Sequence, residues 1–141
     1  MREQTKALLA EVEFRAPTTE DRLNEFEKTI GIKLPLEYRE FMLTSNGALG
    51  FVGNSYLMIW TIEEALEINE SSIGDRTLCL EDECPPVVCF GSDGGGMAYA
   101  FEKRTEDTAI ITFPFISIIR EEYEYCGNTF HEFIQFLAIK L

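Results

Sequence analysis

Residues 87–102 read VVCFGSDGGGMAYAFE, and this stretch decides the fold class. Its two apolar runs, Val87–Phe90 and Met97–Glu102, have the length and composition of buried β-strands. Between them lies a glycine run, residues 91–96, where glycines allow positive φ and close approach of backbones. The stretch therefore predicts two strands joined by a glycine-rich connection.

Further strands are predicted on either side of this stretch. Residues 109–113 and 115–119 follow it, and residues 56–60 precede it, each as an apolar run of strand length. Helical patterns occupy residues 3–14, Thr18 or Thr19 to Gly31, Leu34-Pro35 to Asn46-Gly47, Thr61 to about Asn69, and Thr129 onward. This order predicts a single α+β domain over residues 1–141, with a mostly antiparallel sheet flanked by N-terminal helices and a C-terminal helix.

The glycine run lacks the residues that phosphate-binding or metal-binding loops require. A P-loop ends in Lys and Ser or Thr, but here Met97-Ala98 follows. A dinucleotide fingerprint needs glycine at the first, third and sixth positions of the run, but Asp93 holds the third, and a strand follows instead of a helix. The spaced carboxylates of a calcium loop are also missing. We therefore expect a structural loop and no cofactor, although a ligand pocket near the loop stays open as an alternative.

The four cysteines and the single histidine do not form a recognisable metal site. The cysteines, Cys79, Cys84, Cys89 and Cys126, contain no C-x-x-C pair, so we expect no metal. No signal peptide or membrane-spanning run is visible, so we expect a cytoplasmic protein with four free thiols and no membrane association. A pair between Cys126 and His131 is conceivable, but a surface histidine in the first turn of the last helix is the commoner case.

Charge is strongly acidic and unevenly distributed. The chain has 12 Lys and Arg against 25 Asp and Glu, a formal net charge of −13. Residues 41–141 hold five basic and sixteen acidic residues, so they carry nearly all of the excess. Such a field repels nucleic acid and anionic membranes and attracts basic partners. Acidity that serves solubility alone is the competing interpretation.

The order of several short motifs resembles the SUKH superfamily. The motifs are Leu34-Pro35-Leu36-Glu37-Tyr38-Arg39-Glu40-Phe41, Asn46-Gly47, the Glu63-Glu64 helix, Phe90 to Gly96 with Tyr99-Ala100-Phe101, and Thr129 to Ile134. The superfamily includes the yeast cell-wall-assembly regulator family and many bacterial immunity proteins. The resemblance covers about residues 18–137.

The resemblance implies an α+β domain without enzymatic activity. Bacterial members of this kind bind and neutralise a cognate toxin, in many cases a nuclease, and a compact chain is more like the bacterial form. The resemblance therefore implies an immunity protein whose partner is a toxin with a basic surface. A regulatory or scaffold module like the fungal relatives is the first alternative, and a ligand-binding domain is the second.

Acidic residues in predicted loops are the candidates for contact with a basic partner, because loops present side chains without disturbing the core. No catalytic or metal-binding residues are predicted. The candidates are Glu81, Asp82, Glu83, Asp93, Glu121, Glu122 and Glu124.

Overall fold

The computed structural model describes residues 3–70, 87–103, 108–115 and 123–140. Its first half contains α1 (Glu3–Leu8), β1 (Val12–Phe14), α2 (Glu20–Ile30), α3 (Leu36–Met42), β2 (Ala48–Val52), β3 (Ser55–Ile59) and α4 (Ile62–Ile68). Its second half contains β4 (Val87–Ser92), β5 (Met97–Lys103), β6 (Thr108–Pro114), β7 (Glu124–Gly127) and α5 (Phe130–Ile139). Helices therefore lie before and after the β-rich part, as the sequence predicts.

The seven strands form one sheet in the order in which they occur along the chain. Every neighbouring pair is antiparallel, from β1–β2 to β6–β7. The α+β class with an antiparallel sheet is therefore confirmed. The predicted strands at residues 56–60, 87–90, 97–102 and 109–113 correspond to β3, β4, β5 and β6.

The sequence correctly predicts where α2 begins and ends and which of its faces is buried. The hydroxyl of Thr19 accepts a hydrogen bond from the Arg22 amide, which caps the first turn of the helix. Gly31 ends the helix in the left-handed conformation, with φ of 83°. Leu23 and Phe26 are buried on its apolar face.

The predicted helix over residues 3–14 is wrong beyond Leu8. Val12–Phe14 instead forms the edge strand β1 and pairs with β2, with Val12 opposite Gly50. A Cβ on Gly50 would lie 2.7 Å from the Glu11 carbonyl oxygen, so glycine allows this close pairing. The ladder with β2 outweighs a weak local helical pattern.

Besides β1, two strands were not predicted. The β2 sequence ALGFV contains a glycine and follows Asn46-Gly47, so it lacks a clear alternating pattern. The four-residue β7 is exposed at its first two positions and gives little apolar signal. Phe115, the first residue of the strand suggested at 115–119, lies in a turn, and residues 116–119 are outside the described residues.

The core contains aromatic side chains from α3, β4, β5 and α5. Phe90 stacks on Phe101 with ring centroids 4.4 Å apart, and Tyr38 meets Phe101 edge-on at 5.0 Å. Phe133 packs edge-on against Phe90 at 5.4 Å. Trp60 is buried, as expected. These rings fix α3 and α5 on the sheet, and the sheet in turn positions the surface loops.

Candidate interaction surface

Asn46 joins the segment before β2 to the start of α4. Its Oδ1 accepts a 2.8 Å hydrogen bond from the Ile62 amide, and its Nδ2 donates to Glu63 Oε1 at 2.9 Å. Gly47 has φ of 91°, and a Cβ there would lie 2.6 Å from the Ile59 carbonyl oxygen. The Asn46-Gly47 pair is therefore structural. It does not cap α3 as predicted, because that helix ends at Met42.

The side chain of Asn69 makes the hydrogen bonds to β4 that a neighbouring strand would otherwise make. Its Nδ2 donates to the carbonyls of Ala65 and Cys89, at 2.6 and 2.8 Å, and its Oδ1 accepts from the Cys89 amide at 2.8 Å. The register joins β3 to β4 only at Met58 and Ile59. Asn69 thus satisfies buried backbone groups beyond that point. We call Asn46, Gly47, Glu63 and Asn69 the polar junction.

Several acidic side chains in the first 70 residues are paired with arginines. Arg39 binds Glu27 Oε1 at 2.9 Å and Glu20 Oε2 at 2.6 Å, which ties α3 to α2. Arg22 binds Glu63 Oε2 at 3.0 Å and ties α2 to α4. These carboxylates therefore hold helices together, and their charges are largely balanced locally.

The loop between β4 and β5 is held by its own side chains. Asp93 Oδ1 accepts hydrogen bonds from the amides of Gly95 and Met97, at 2.7 and 3.1 Å. Ser92 Oγ accepts from the Gly94 amide at 2.9 Å. Gly94 and Gly96 have φ values of 77° and 106°. The structural interpretation of the glycine run is confirmed, and the Asp93 carboxylate is engaged in forming the turn.

Two aromatic rings lie next to this loop. Phe51 is 53% exposed and meets the ring of Tyr56 edge-on, with centroids 5.2 Å apart. The Tyr56 ring lies 3.4 Å from the position of a Cβ on Gly94. The Tyr99 hydroxyl donates to the Tyr56 carbonyl at 3.2 Å, which links the two hairpins. We call Phe51, Tyr56 and Asp93–Gly96 the hairpin-end surface.

The structure describes two of the seven predicted partner-binding acids. Asp93 is half-buried in the glycine loop. Glu124 begins β7, is exposed, and binds Lys140 Nζ at 3.2 Å. Glu124 is three strands away from β4 across the sheet, about 14 Å at ordinary strand spacing, so these two acids do not form one tight cluster. The other five, Glu81, Asp82, Glu83, Glu121 and Glu122, lie outside the described residues.

The two described thiols are poor nucleophiles. Burial raises the pKa of Cys89 to about 12. Burial, followed by the nearby charge of Glu124, raises the pKa of Cys126 to about 12. Both thiols are free, and both stay protonated at neutral pH, where a reactive cysteine would need to be a thiolate. Cys79 and Cys84 lie outside the described residues.

The expectation of a surface position for His131 is wrong. The side chain is buried, and its Nδ1 lies 2.6 Å from the Thr5 hydroxyl, so α1 covers the first turn of α5. The His131 amide donates to Glu37 Oε1 at 2.9 Å. The contact with Thr5 joins residues far apart in the sequence, which a local helical pattern cannot show.

A groove separates α2 from α4. It has a volume of about 290 Å³ and is lined by Arg22, Glu25, Phe26, Ile62, Glu63 and Leu66. None of these lining residues belongs to the glycine loop, near which the sequence analysis kept a ligand pocket as an alternative. Among the residues that the structure describes, no three His, Cys, Asp or Glu side chains are grouped to hold a metal ion. The helices in these same ranges are all too short or too polar to cross a membrane.

Comparison with known proteins gives one family match. The model of the SMI1 / KNR4 family (SUKH-1) matches residues 17–135. No curated protein matches the chain. The matched span contains the polar junction, the groove and the whole hairpin-end surface.

Proposed function

The chain belongs to the SMI1 / KNR4 family (SUKH-1), a family of immunity and regulatory modules, and we propose that it is a non-enzymatic immunity protein that binds a cognate bacterial toxin. One observation of the structure supports a binding role most directly. The hairpin-end surface exposes an aromatic ring beside a loop whose only carboxylate is occupied by backbone amides. This arrangement suits contact with another protein better than chemistry on a small substrate.

The composition of this surface matches that of energetically important interface residues. Exposed aromatic side chains supply much of the affinity at protein interfaces, because they bury a large area with few rotatable bonds. The exposed glycines of the loop, next to Tyr56, leave backbone accessible at close range. The cross-strand contact with Tyr56 holds the Phe51 ring in place before binding, which lowers the entropic cost of association.

The charge of the chain supports a basic partner. A nuclease toxin must hold a polyanion, so its active cleft is basic, and an acidic inhibitor is steered toward such a cleft. The seven acidic candidates keep this role in the proposal, with Asp93 and Glu124 on the described part of the sheet. The excess of 25 acidic over 12 basic residues supplies the long-range field.

Co-expression with the toxin encoded beside the gene tests the function. We expect the chain to protect cells from the toxin and to co-purify with it at a fixed stoichiometry. Changing Glu121, Glu122 and Glu124 to lysine should slow association and flatten its dependence on salt. The matched control changes Glu3, Glu11 and Glu13 to lysine, and it leaves Glu20 in place because Glu20 binds Arg39. If the chain neither protects the cells nor binds the toxin, the proposal is contradicted.

The two alternatives give different results. A regulatory module would bind a protein of its own cell and give no protection from the toxin. A ligand-binding domain would be stabilised against heat by a metabolite, and the α2–α4 groove is the described cavity in which such a ligand would bind. A thermal-shift screen with metabolites therefore separates this alternative from both protein-binding roles.

A further inference from the structure

The floor of the α2–α4 groove is apolar, and its rim is charged. Phe26 and Ile62 are almost fully buried beneath it, and Leu66 is partly exposed along its wall. Glu25 and Glu63 stand at the rim together with Arg22. The groove is therefore amphipathic: an apolar side chain can enter it, and a charged group can remain at its edge.

The rim is fixed in position before any partner arrives. Both oxygens of the Glu63 carboxylate are bound, one to Arg22 at 3.0 Å and the other to Asn46 at 2.9 Å. Asn46 is in turn fixed by its hydrogen bond from the Ile62 amide. A partner would thus meet a groove whose walls need little rearrangement, which reduces the entropic cost of binding.

The charge around the groove is negative. The stretch from Ala48 to Glu70 contains four glutamates and no lysine or arginine. All four, at positions 63, 64, 67 and 70, are exposed along α4 or directly after it. Arg22 is paired with Glu63 and Arg15 with Glu64, whereas Glu25, on the same helix as Arg22, is exposed. A cationic segment is therefore the complementary partner for this part of the surface.

The open shape of the groove favours a side chain over a free small molecule. Sites for drug-sized ligands typically have volumes of about 300–1,000 Å³ and enclose most of the ligand. This groove, at about 290 Å³, is open along one side, so it does not enclose a ligand in that way. An open recess of this size accommodates one anchoring side chain from a segment that passes over the surface.

We propose that the α2–α4 groove binds one apolar side chain from an otherwise basic segment of a protein partner. The inference rests on the proposed function only in taking the partner to be a protein. Together with the hairpin-end surface, the groove would give the inhibitor a second contact region, near the end of the β2–β3 ladder where Ala48 pairs with Ile59.

Titration with two model peptides tests this proposal without any toxin. The first is a short lysine–alanine peptide with one central leucine, and the second has alanine in place of that leucine. Amide NMR shifts of the full chain at low salt report both the affinity and the location of binding. We expect the leucine peptide to bind about tenfold more tightly, because its side chain buries several methylene groups, and to shift the amides of Phe26, Ile62 and Leu66.

A pair of charge reversals locates the electrostatic contribution. E25K should weaken binding of the leucine peptide by about fivefold, while the matched E13K, which lies on β1, should leave the affinity unchanged. Equal affinity of the two peptides, or equal weakening by the two variants, would overturn the proposal. Peptide binding without protection from the toxin would reject the proposed function and leave the groove in place, and protection without peptide binding would do the reverse.

Discussion

The two ends of the β2–β3 ladder are built in opposite ways. At the end where Ala48 pairs with Ile59, the polar junction satisfies backbone groups with side chains that lie in fixed positions. At the other end, where Phe51 pairs with Tyr56, the neighbouring loop consists largely of glycine and exposes an aromatic ring. The first end is held by buried and part-buried hydrogen bonds, and the second leaves an aromatic ring and a glycine loop at the surface.

Gly47 and Gly96 both have positive φ, but only Gly47 is enclosed. A Cβ on Gly47 would lie 2.6 Å from the Ile59 carbonyl oxygen, whereas a Cβ on Gly96 would meet nothing within 4 Å. The backbone around Gly47 cannot move without breaking the bonds of Asn46. Replacing glycine with alanine should therefore lower the free energy of unfolding by different amounts at Gly47 and Gly96.

The largest effect is expected at Gly47. G47A combines left-handed strain with a backbone clash, so it should lower the free energy of unfolding by about 4 kcal/mol. G96A carries the strain alone and should cost about 1 kcal/mol. Urea denaturation of both variants measures the difference. Equal costs at the two positions would show that the two ends are not built differently.

Asn69 provides the next largest effect. N69A removes three hydrogen bonds and leaves the buried amide and carbonyl of Cys89 without partners, so it should cost about 3 kcal/mol. The matched control is N24A, which loses one exposed hydrogen bond to Arg39 and should cost less than about 1 kcal/mol. If N69A unfolds at the same urea concentration as N24A, the bonds of Asn69 to Cys89 do not stabilise β4.

This contrast also explains which features the sequence could predict. The cap of α2 at Thr19, the capping box at Thr61 and the β4–β5 hairpin all depend on residues close together in the chain. Their signals are local, and the predictions of these elements are confirmed. Asp93 was correctly placed in the glycine connection for the same reason.

The features that were missed depend on residues far apart in the chain. β1 forms because Val12 meets Gly50, and His131 is buried because Thr5 lies over it. Similarly, the role of Asn69 depends on Cys89, twenty positions later. The groove was missed because its walls come from α2 and α4, and neither helix contains it alone. Apolar periodicity shows which face of a helix is buried, but it does not show what covers that face.

Because the thiol of Cys89 is buried, we expect the protein to lose stability at alkaline pH. Cys89 in the native protein keeps its proton up to about pH 12, whereas an unfolded cysteine loses it near pH 8.5. Between these values the unfolded state binds fewer protons, so stability falls as pH rises. We expect a contribution of about 2 kcal/mol between pH 8 and pH 10.

Urea denaturation at pH 8, 9 and 10 measures this contribution, and C89A provides the comparison. Because C89A removes the titrating group, its stability should decrease less over the same range. The acidic surface and the other buried groups affect both proteins equally. Parallel pH profiles for the two proteins would contradict the assignment of this loss to Cys89.

The smallest effect on stability is expected at Phe51, and this position tests the other half of the comparison. The ring is 53% exposed and contacts Tyr56 at the open end of the ladder, so F51A should change the free energy of unfolding by about 0.5 kcal/mol or less. If the hairpin-end surface binds the toxin, the same change should weaken binding by about tenfold or more, because truncation of an aromatic anchor commonly costs above 1 kcal/mol. L36A is the matched control, since Leu36 is 71% exposed at the start of α3 and belongs to neither proposed contact region. Calorimetry with the toxin, together with urea denaturation of each variant, separates affinity from stability. A large loss of stability in F51A would show that this ring stabilises the fold. An unchanged affinity would show that the hairpin-end surface is not part of the interface.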